Sequence, residues 1–337
     1  MKEKTLLLAL LAFVGGHQAS SQTSNTVVGA GFVKPAPIAV APGELVTIFV
    51  HGVGAKVSDR VRAGSLPLPT TLAGISVSLK QTYSPQGPIP VPLLAVFPVS
   101  TCANLQPCGR LTGITIQIPF ELHLGTGFGP PRLDPPNFAQ LVVSEDGTNG
   151  AAVELMPLDD RIHVLRVDDT ITGLGRPSPE FSLQQAIVTH ADGKLVSQSN
   201  PAKPGETLVM WAVGLGLTKP AVKSGEATPA PAPTFAEVVI DFDFRYNAAP
   251  SPPLRRPRSF PLVAGLPATL AESVSSTPVF SGLAPGFVGL YQVNFIVPQP
   301  PPSHLPCGPA DIQSNLTVSI GGDISFDGAG ICVQFVK

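Results

Sequence analysis

The sequence predicts an all-β fold of two β-sandwich domains in tandem after a signal peptide. Three observations predict it: a high content of proline and glycine, an internal repeat around an apolar strand, and an uncharged leader. The chain of 337 residues contains 39 prolines and 33 glycines, and 43% of its residues are hydrophobic but only 13% are charged. Proline costs about 3 kcal/mol and glycine about 1 kcal/mol inside a helix. Helix should therefore form less than about a tenth of the mature chain, while the apolar content suffices for hydrophobic cores.

The first residues have the form of a secretory signal peptide. Lys2 and Lys4 precede an uncharged apolar stretch over residues 5–14. That stretch is shorter than the roughly 20 residues that cross a bilayer. A buried first strand is the alternative interpretation. We expect residues 1–21 to be removed, with cleavage after Gly16 or Ser21, and no membrane span in the mature chain. The protein should then be secreted, periplasmic or at the cell surface.

An internal repeat is the strongest signal in the chain. Residues 41–54 (APGELVTIFVHGVG) and 203–216 (KPGETLVMWAVGLG) align without a gap. Each copy predicts a Pro-Gly turn, a strand of about eight residues and a glycine-rich exit, because proline presets the second turn position and glycine permits positive φ at the third. Apolar residues on both faces predict central, buried strands. The repeat predicts equivalent positions for these two strands in two similar sandwiches.

Other short runs alternate in a way that predicts further strands. These runs are residues 75–79, 114–118, 139–144, 151–156, 185–189, 194–197, 237–244, 291–297, 316–320 and 332–336. Short strands with turn residues between them are typical of immunoglobulin-like sandwiches with Greek-key connections. We divide the chain into a signal peptide (1–21), a first sandwich (22–166), a linker (167–180) and a second sandwich (181–337).

Three segments of the second half carry a resemblance to a known family. Residues 200–216 (NPAKPGETLVMWAVGLG), 224–231 (SGEATPAP) and 281–298 (SGLAPGFVGLYQVNFIVP) resemble the uncharacterised C-terminal domain family of Solibacter and related acidobacterial secreted proteins. The first copy of the repeat is similar to the immunoglobulin-like unit that often precedes this domain. Both halves also resemble IPT/TIG-type folds, whose first strand follows a Pro-Gly turn. Residues 85–109 depart from the pattern because they are long and contain two cysteines. The family has no established activity, so the resemblance implies no catalytic residues.

Several classes of function find no support in the residues. A net charge of −2 provides no basic surface for nucleic acid. The Gly-x-Gly pairs at 52–54 and 214–216 are fragments of a dinucleotide-binding pattern, but no helical pattern follows them, so strand exits are favoured. The sequence has no Gly-x-Ser-x-Gly and no His-Glu-x-x-His motif. A hydrolase with sequence-distant catalytic residues stays an alternative. We predict a non-enzymatic protein with no cofactor and no metal.

Carboxylates form two further groups of interest. Asp241 and Asp243 share one strand face with Glu237, as in a cation site or a glycosidase pair. We favour a solvated edge face that discourages strand addition. Asp323 and Asp327 lie in a glycine-rich run that suits either a Ca²⁺ loop or a hairpin, of which the hairpin is favoured.

The favoured function is adhesion, surface attachment or interaction with an unknown protein or glycan at the cell surface. Phe287, in the turn over residues 284–288, is a possible contact residue or a plug at the sandwich end, and Tyr246 is a second possible contact. The alternative is a carbohydrate-binding module or a hydrolase-associated accessory protein, with a stacking surface formed by Tyr246, Phe260 or Tyr291. Trp211 is expected in the core, and the sequon at Asn315 is expected to be unused.

The four cysteines allow three pairings. We predict the disulfides Cys102–Cys108 and Cys307–Cys332, since export places the thiols in an oxidising compartment. The first pair closes a short loop, and the second joins a proline-rich loop to the last predicted strand. A zinc site is the rival interpretation, but it lacks the paired Cys-x-x-Cys spacing.

Overall fold

The computed structural model describes residues 26–30, 37–82, 87–99, 111–123, 138–167, 169, 185–253, 273–302, 304–308 and 311–334. All regular elements in these ranges are β-strands, which confirms the all-β prediction for this part of the chain. No helix in the same ranges is long and apolar enough to cross a membrane. The proposed leader lies outside the described residues.

The strands up to residue 157 build two sheets, which we call the N-terminal sheet pair. In chain order they are β1 (Thr26–Ala30), β2 (Ile38–Val40), β3 (Leu45–His51), β4 (Val61–Arg62), β5 (Thr71–Leu72), β6 (Ile75–Gln81), β7 (Ile89–Pro90), β8 (Leu93–Val99), β9 (Leu111–Gln117), β10 (Ala139–Glu145), β11 (Thr148–Asn149) and β12 (Val153–Pro157).

The remaining strands build two further sheets, the C-terminal sheet pair. They are β13 (His163–Val164), β14 (Val188–Thr189), β15 (Thr207–Val213), β16 (Ala232–Pro233), β17 (Val239–Asp243), β18 (Ser273–Ser276), β19 (Phe280–Leu283), β20 (Tyr291–Ile296), β21 (Leu316–Gly321) and β22 (Phe326–Ile331).

Each sheet pair encloses one hydrophobic core. In the N-terminal pair, buried residues of β3 and β9 pack with buried residues of β6 and β10 from the other sheet, as Ile48, Ile114, Val77 and Leu141 illustrate. In the C-terminal pair, residues of β15 and β20 pack in the same way with those of β17 and β21. Alternation of core-facing and outward-facing side chains along these strands supplies both halves of each core.

The central strands of the two sheet pairs follow the same order. One sheet runs β1-β3-β9-β8-β4 in the N-terminal pair and β13-β15-β20-β19-β16 in the C-terminal pair. The other sheet runs β2-β12-β10-β6-β5 in the N-terminal pair and β22-β21-β17-β18 in the C-terminal pair. In this comparison β12, β10 and β6 correspond to β22, β21 and β17. Even the parallel contact of β2 with β12 has a counterpart in the parallel bridge between Ala202 and Val333. Neither repeat strand is at a sheet edge, and β3 and β15 hold the same place, as the repeat predicted.

The equivalence extends to the backbone of the Pro-Gly turns. The Glu44 amide donates to the Ala41 carbonyl at 3.2 Å, and the Glu206 amide donates to the Lys203 carbonyl at 3.1 Å. Gly43 and Gly205 have φ of 76° and 82°, which glycine adopts without strain. The amides of these glycines donate to Ile118 and Val297 at 2.8 Å in both cases. The predicted turns are therefore present, and each is bonded to the strand beside it.

The segment between the sheet pairs, residues 158–167, is called the connector here. The Leu158 amide donates to Val40 of the N-terminal pair at 2.8 Å. From there the chain joins the C-terminal pair, because the Arg161 amide donates to Gly214 at 2.7 Å and β13 pairs with β15. These contacts precede the predicted linker, residues 167–180, most of which lies outside the described residues.

Two predicted strands differ from the structure. Residues 194–197 form only an isolated bridge from Leu195 to Thr189. The last described strand is β22. Of the predicted strand 332–336, residues 332–334 make only the bridge at Val333, and residues 335 and 336 lie outside the described residues. The glycine-rich run was expected to be a hairpin, and β22 is the second arm of that hairpin. It forms a strand because Gly328 and Gly330 leave room for the carbonyl of Val318 and the side chain of Ser314.

Cys307 and Cys332 form a disulfide, as predicted, with their Cα atoms 5.7 Å apart. The bond joins the segment after the proline run to the end of β22. The other predicted pair, Cys102–Cys108, lies outside the described residues.

We expect removal of this disulfide to destabilise the C-terminal sheet pair. The bond spans 25 residues, and loop-closure entropy over that length amounts to about 3.5 kcal/mol. Cys307→Ser combined with Cys332→Ser should lower the free energy of unfolding in urea by about that amount. Reduction of the wild-type protein is the control, and an unchanged unfolding midpoint in the double variant would contradict the expectation.

Candidate functional site

A groove of about 610 Å³ lies where the two sheet pairs meet. Volumes of this size are typical of ligand sites. Its lining is almost entirely apolar and comes from β3, β8, the loop after β4, the connector and the loop between β19 and β20: Leu45, Ala63, Gly64, Ser65, Leu66, Leu68, Leu94, Leu165, Gly286, Phe287, Val288 and Leu290. Leu66 and Phe287 are each 52% exposed, so two large apolar side chains stand at the solvent side of this groove.

Backbone hydrogen bonds hold both walls of the groove. On the N-terminal wall, the Ala63 amide donates to Leu94 at 2.9 Å, and the Leu68 amide reaches across to the Gly225 carbonyl at 2.8 Å. On the C-terminal wall, the Thr228 amide donates to the Phe287 carbonyl at 3.0 Å, and the Gly286 amide donates back to Thr228 at 2.8 Å. The turn that presents Phe287 is therefore anchored on both sides.

The floor of the groove belongs to a small apolar cluster shared by both sheet pairs. Buried Leu45 of β3, Leu165 of the connector and Val213 of β15 form its centre, and Leu94, Ile187, Trp211 and Leu290 pack against it. The Phe287 ring meets the Trp211 ring edge-on, with centroids 6.4 Å apart. We call this cluster and the contacts around it the joint.

Polar contacts and close backbone approach complete the joint. The Gly225 amide donates to Gln117 Oε1 at 2.6 Å, and the Phe120 amide donates to Ser224 Oγ at 2.7 Å. A Cβ atom added at Gly289 would lie 2.6 Å from the Gly43 carbonyl oxygen. The backbones of the two sheet pairs thus touch, which requires glycine at that position.

A second cluster, of buried charges, fixes the connector to β22. Arg166 donates to both carboxylate oxygens of Asp327, at 3.1 and 3.0 Å, and also to the carbonyls of Val164 and Gly328. His163 lies between two carboxylates, with Nε2 3.1 Å from Asp169 and Nδ1 3.5 Å from Asp327. The backbone amide of Val164 donates to Asp327 at 2.8 Å.

Asp327 stays ionised in this cluster. Burial by itself would raise the pKa of Asp327, but the hydrogen bonds from His163 and Arg166 and their charges outweigh it and hold the pKa well below its usual range. The cluster therefore acts as a clamp that attaches the connector to the last hairpin.

The run that was considered as an alternative Ca²⁺ loop offers donors rather than oxygen ligands. The turn between β21 and β22 directs the amides of Asp323, Ile324 and Ser325 at the carboxylate of Asp160, at 2.5, 3.1 and 2.7 Å. Ser325 Oγ donates to the same carboxylate at 2.7 Å. A turn that offers N–H donors binds an anion, and the connector supplies that anion. Asp327 is engaged by Arg166, so the hairpin interpretation describes this run.

The predicted edge face at Asp241 and Asp243 is wrong. β17 lies between β18 and β21 rather than at an edge, and Asp241 is buried. Asp243 pairs with Arg245, whose Nε donates to Oδ1 at 3.0 Å. No set of three or more acidic, histidine or cysteine side chains in the described ranges is arranged to hold a metal ion.

The aromatic residues proposed for sugar stacking do not form one surface. Tyr291 is fully buried, and its hydroxyl donates to the Gly216 carbonyl. Tyr246 is 60% exposed, in the turn after β17, and is not among the groove residues. Phe260 lies outside the described residues. Trp211, expected in the core, instead faces away from it and packs against the joint, since Met210 and Ala212 fill the core positions.

Two smaller sequence features have structural roles. Asn315 of the sequon is 1% exposed and donates to the carbonyls of Leu305 and Val333 at 2.9 and 3.0 Å. A glycan has no access to such a side chain. Gly214 and Gly216 have positive φ, and added Cβ atoms there would collide with the carbonyls of Arg161 and Asp159. These exit glycines let the connector pass over β15.

Sequence reasoning identified Phe287 but missed the rest of the groove and the clamp. Leu66 and Leu68 lie in a segment without periodicity, and the groove forms only where five separate elements meet. The attachment of the connector to the last hairpin did have a signal in the sequence. Asp160, His163 and Arg166, which make these contacts, lie close together in a chain with few charged residues.

A scan against models of protein families finds no match to the chain, and a search of curated proteins finds no similar sequence. The geometry described above is therefore the basis for a functional proposal.

We expect Asp327→Asn to destabilise the fold strongly, because it leaves Arg166 buried without its anion. Breaking a buried pair in this way costs about 3–5 kcal/mol, measurable by urea unfolding at pH 7. Asp243→Asn is the matched control, since its partner Arg245 is exposed and such a pair contributes about 1 kcal/mol or less.

The comparison of the wild type with Asp327→Asn also has a pH signature. A carboxylate with a lowered pKa stabilises the fold above its unfolded pKa, near 4, and loses that contribution as the pH falls further. The wild type should lose stability below about pH 4, and Asp327→Asn should lose less over that range. Equal acid sensitivity in the two proteins would show that Asp327 is not the residue responsible.

Proposed function

We propose that this chain is an exported, non-enzymatic protein of two immunoglobulin-like sandwiches in tandem, which binds a protein partner at the cell surface through the groove at the joint. One observation carries the proposal: the groove is apolar, is held by backbone hydrogen bonds, and places Leu66 and Phe287 half exposed at its solvent side. A partner that inserts an apolar side chain between them would extend the cluster beneath.

The sheet orders support the tandem arrangement, because two pairs of mostly antiparallel sheets with matching central strands each enclose a core. The Cys307–Cys332 disulfide supports export, since disulfides persist in oxidising compartments. The apolar stretch near the N-terminus and the resemblance to secreted bacterial proteins point the same way. The buried side chains of the clamp, Arg166, His163 and Asp327, are engaged with one another and hold the connector, which favours a structural role for this cluster.

A glycan is the second candidate partner, because the Phe287 and Trp211 rings lie next to each other at the groove. Burial of Tyr291 removes one residue from the stacking surface that was expected for such a module. The lining of the groove is also poor in the hydroxyl and amide groups that bind sugar hydroxyls. These features favour a protein partner.

The proposal is tested with a combined protein and glycan array, probed with the labelled full-length protein. Phe287→Ser and Leu66→Ser should each weaken capture by a protein spot about tenfold or more, as expected for central apolar anchors. Phe235→Ser is the matched control, since Phe235 is 64% exposed but outside the groove. Signals that persist in both groove variants, or that appear only on glycans, would reject a protein partner in the groove.

Export is tested with the chain expressed in a bacterial host with its own leader. We expect recovery outside the cytoplasm and a mature chain that begins at His17 or Gln22, read by intact mass. Cytoplasmic accumulation of a chain that still begins at Met1 would contradict export and leave the binding assay unaffected.

A further inference from the structure

Glu44, the last residue of the first Pro-Gly turn, is a fully buried acid at the joint. Its Oε2 accepts a hydrogen bond of 2.7 Å from the Ala41 amide. Its Oε1 is buried and has no hydrogen-bond partner among the described residues. The neighbours of Glu44 in the chain make the joint: Gly43 touches the backbone at Gly289, and Leu45 lies in the shared apolar cluster.

Two charged or titratable side chains interact electrostatically with this carboxyl. Arg161 of the connector is the cation, and its Nε is itself buried without a hydrogen-bond partner. Tyr291 of β20 is the other group, and burial together with Glu44 raises the pKa of its phenol, so that it stays neutral. From the N-terminal side, Gly43 is packed against the apolar ring of Phe120. The carboxyl thus lies between the two sheet pairs with little to stabilise a negative charge.

The repeat supplies an internal comparison. Glu206 is the equivalent residue in the C-terminal sheet pair, and its Oε2 accepts a hydrogen bond of 2.8 Å from the Lys203 amide. Its Oε1 is hydrogen-bonded to Nδ1 of His190. Both glutamates close their turns in the same way, so the turn alone does not require a buried uncharged acid. Only Glu44 faces another sheet pair.

We propose that Glu44 is a proton-dependent lock on the joint: with the carboxyl protonated the two sheet pairs are held against each other, and loss of the proton releases them. An ionised carboxylate at this place has no second hydrogen bond, and separation of the sheet pairs hydrates it. The inference does not depend on what the groove binds.

The direction of the pH effect follows from linkage. Burial raises the pKa of Glu44 to about 8, while the Ala41 amide and the charge of Arg161 lower it only in part. An acid whose pKa is higher in the closed form binds more protons there, so closure is favoured at low pH. The equilibrium constant for opening should rise about tenfold per pH unit from pH ~4.5 to pH ~8 and then level off.

The experiment is a distance measurement between the two sheet pairs in the full-length protein. Donor and acceptor dyes are attached at Lys80→Cys in β6 and Thr207→Cys in β15, two exposed positions on opposite sides of the joint. Energy transfer is read at pH 5.5 and at pH 8.5. We expect one narrow, high-transfer population at pH 5.5 and a lower, broader one at pH 8.5, with an opening constant roughly 200-fold larger.

Two variants identify the group responsible. Glu44→Gln keeps the hydrogen bond to the Ala41 amide but has no proton to lose, so its transfer should be the same at both pH values. Glu206→Gln is the matched control and should respond to pH like the wild type. Equal transfer at both pH values in the wild type overturns the proposal, and so does a pH response that persists in Glu44→Gln.

A third variant covers the case in which Glu44→Gln does not fold. Arg161→Met removes the nearby cation, which raises the pKa of Glu44 further and should move the levelling-off of the opening constant to a higher pH. A pH response that stays at the same place in Arg161→Met would overturn the assignment to Glu44. Circular dichroism at each pH confirms that both sheet pairs remain folded, so that separation is distinguished from unfolding.

Discussion

The strand register in both sheet pairs depends on the hydrogen bonds that each Pro-Gly turn makes with the neighbouring strand. In each pair the turn glycine donates to the strand beside it, and that strand returns a bond to the glutamate that follows. The turn therefore sets the register of β3 against β9 and of β15 against β20, the strands that supply much of the two cores. A shift of one residue would turn every core side chain outward, so the turn constrains the rest of the sheet.

The connector joins this repeated framework into one unit. The exit glycines of β15 leave space for its backbone, and Asp160 and Arg166 attach it to the hairpin of β21 and β22. Because the connector is held along its length, Leu165 is placed in the joint beside Leu45. The groove is a consequence of this packing, since its walls come from loops on both sheet pairs and its floor from the shared cluster.

The same turn has different chemistry in its two copies because its surroundings differ. In the C-terminal pair the glutamate has a histidine partner and partial access to solvent, whereas in the N-terminal pair it is enclosed by the other sheet pair. A duplicated unit that packs against its copy buries a surface that was solvated in isolation. The polar groups on that surface then change their protonation or find new partners, and here Glu44 keeps the shared turn bond but has no equivalent of His190.

Features that arise from local interactions were predictable from the residues alone. The repeat, its turns and strands, the all-β composition and the Cys307–Cys332 pair follow from φ preferences, side-chain alternation and cysteine position. A hairpin was expected at the glycine-rich run, but the strand β22 itself was not placed, because its glycines favour a loop in isolation and only pairing with β21 makes it a strand. Trp211 was placed in the core because both faces of its strand are apolar, and hydrophobicity does not say which apolar face meets a second sheet and which meets another sheet pair. The burial of Glu44, the clamp at Asp327 and the groove around Phe287 depend on residues more than 100 positions apart, so only the tertiary packing determines them.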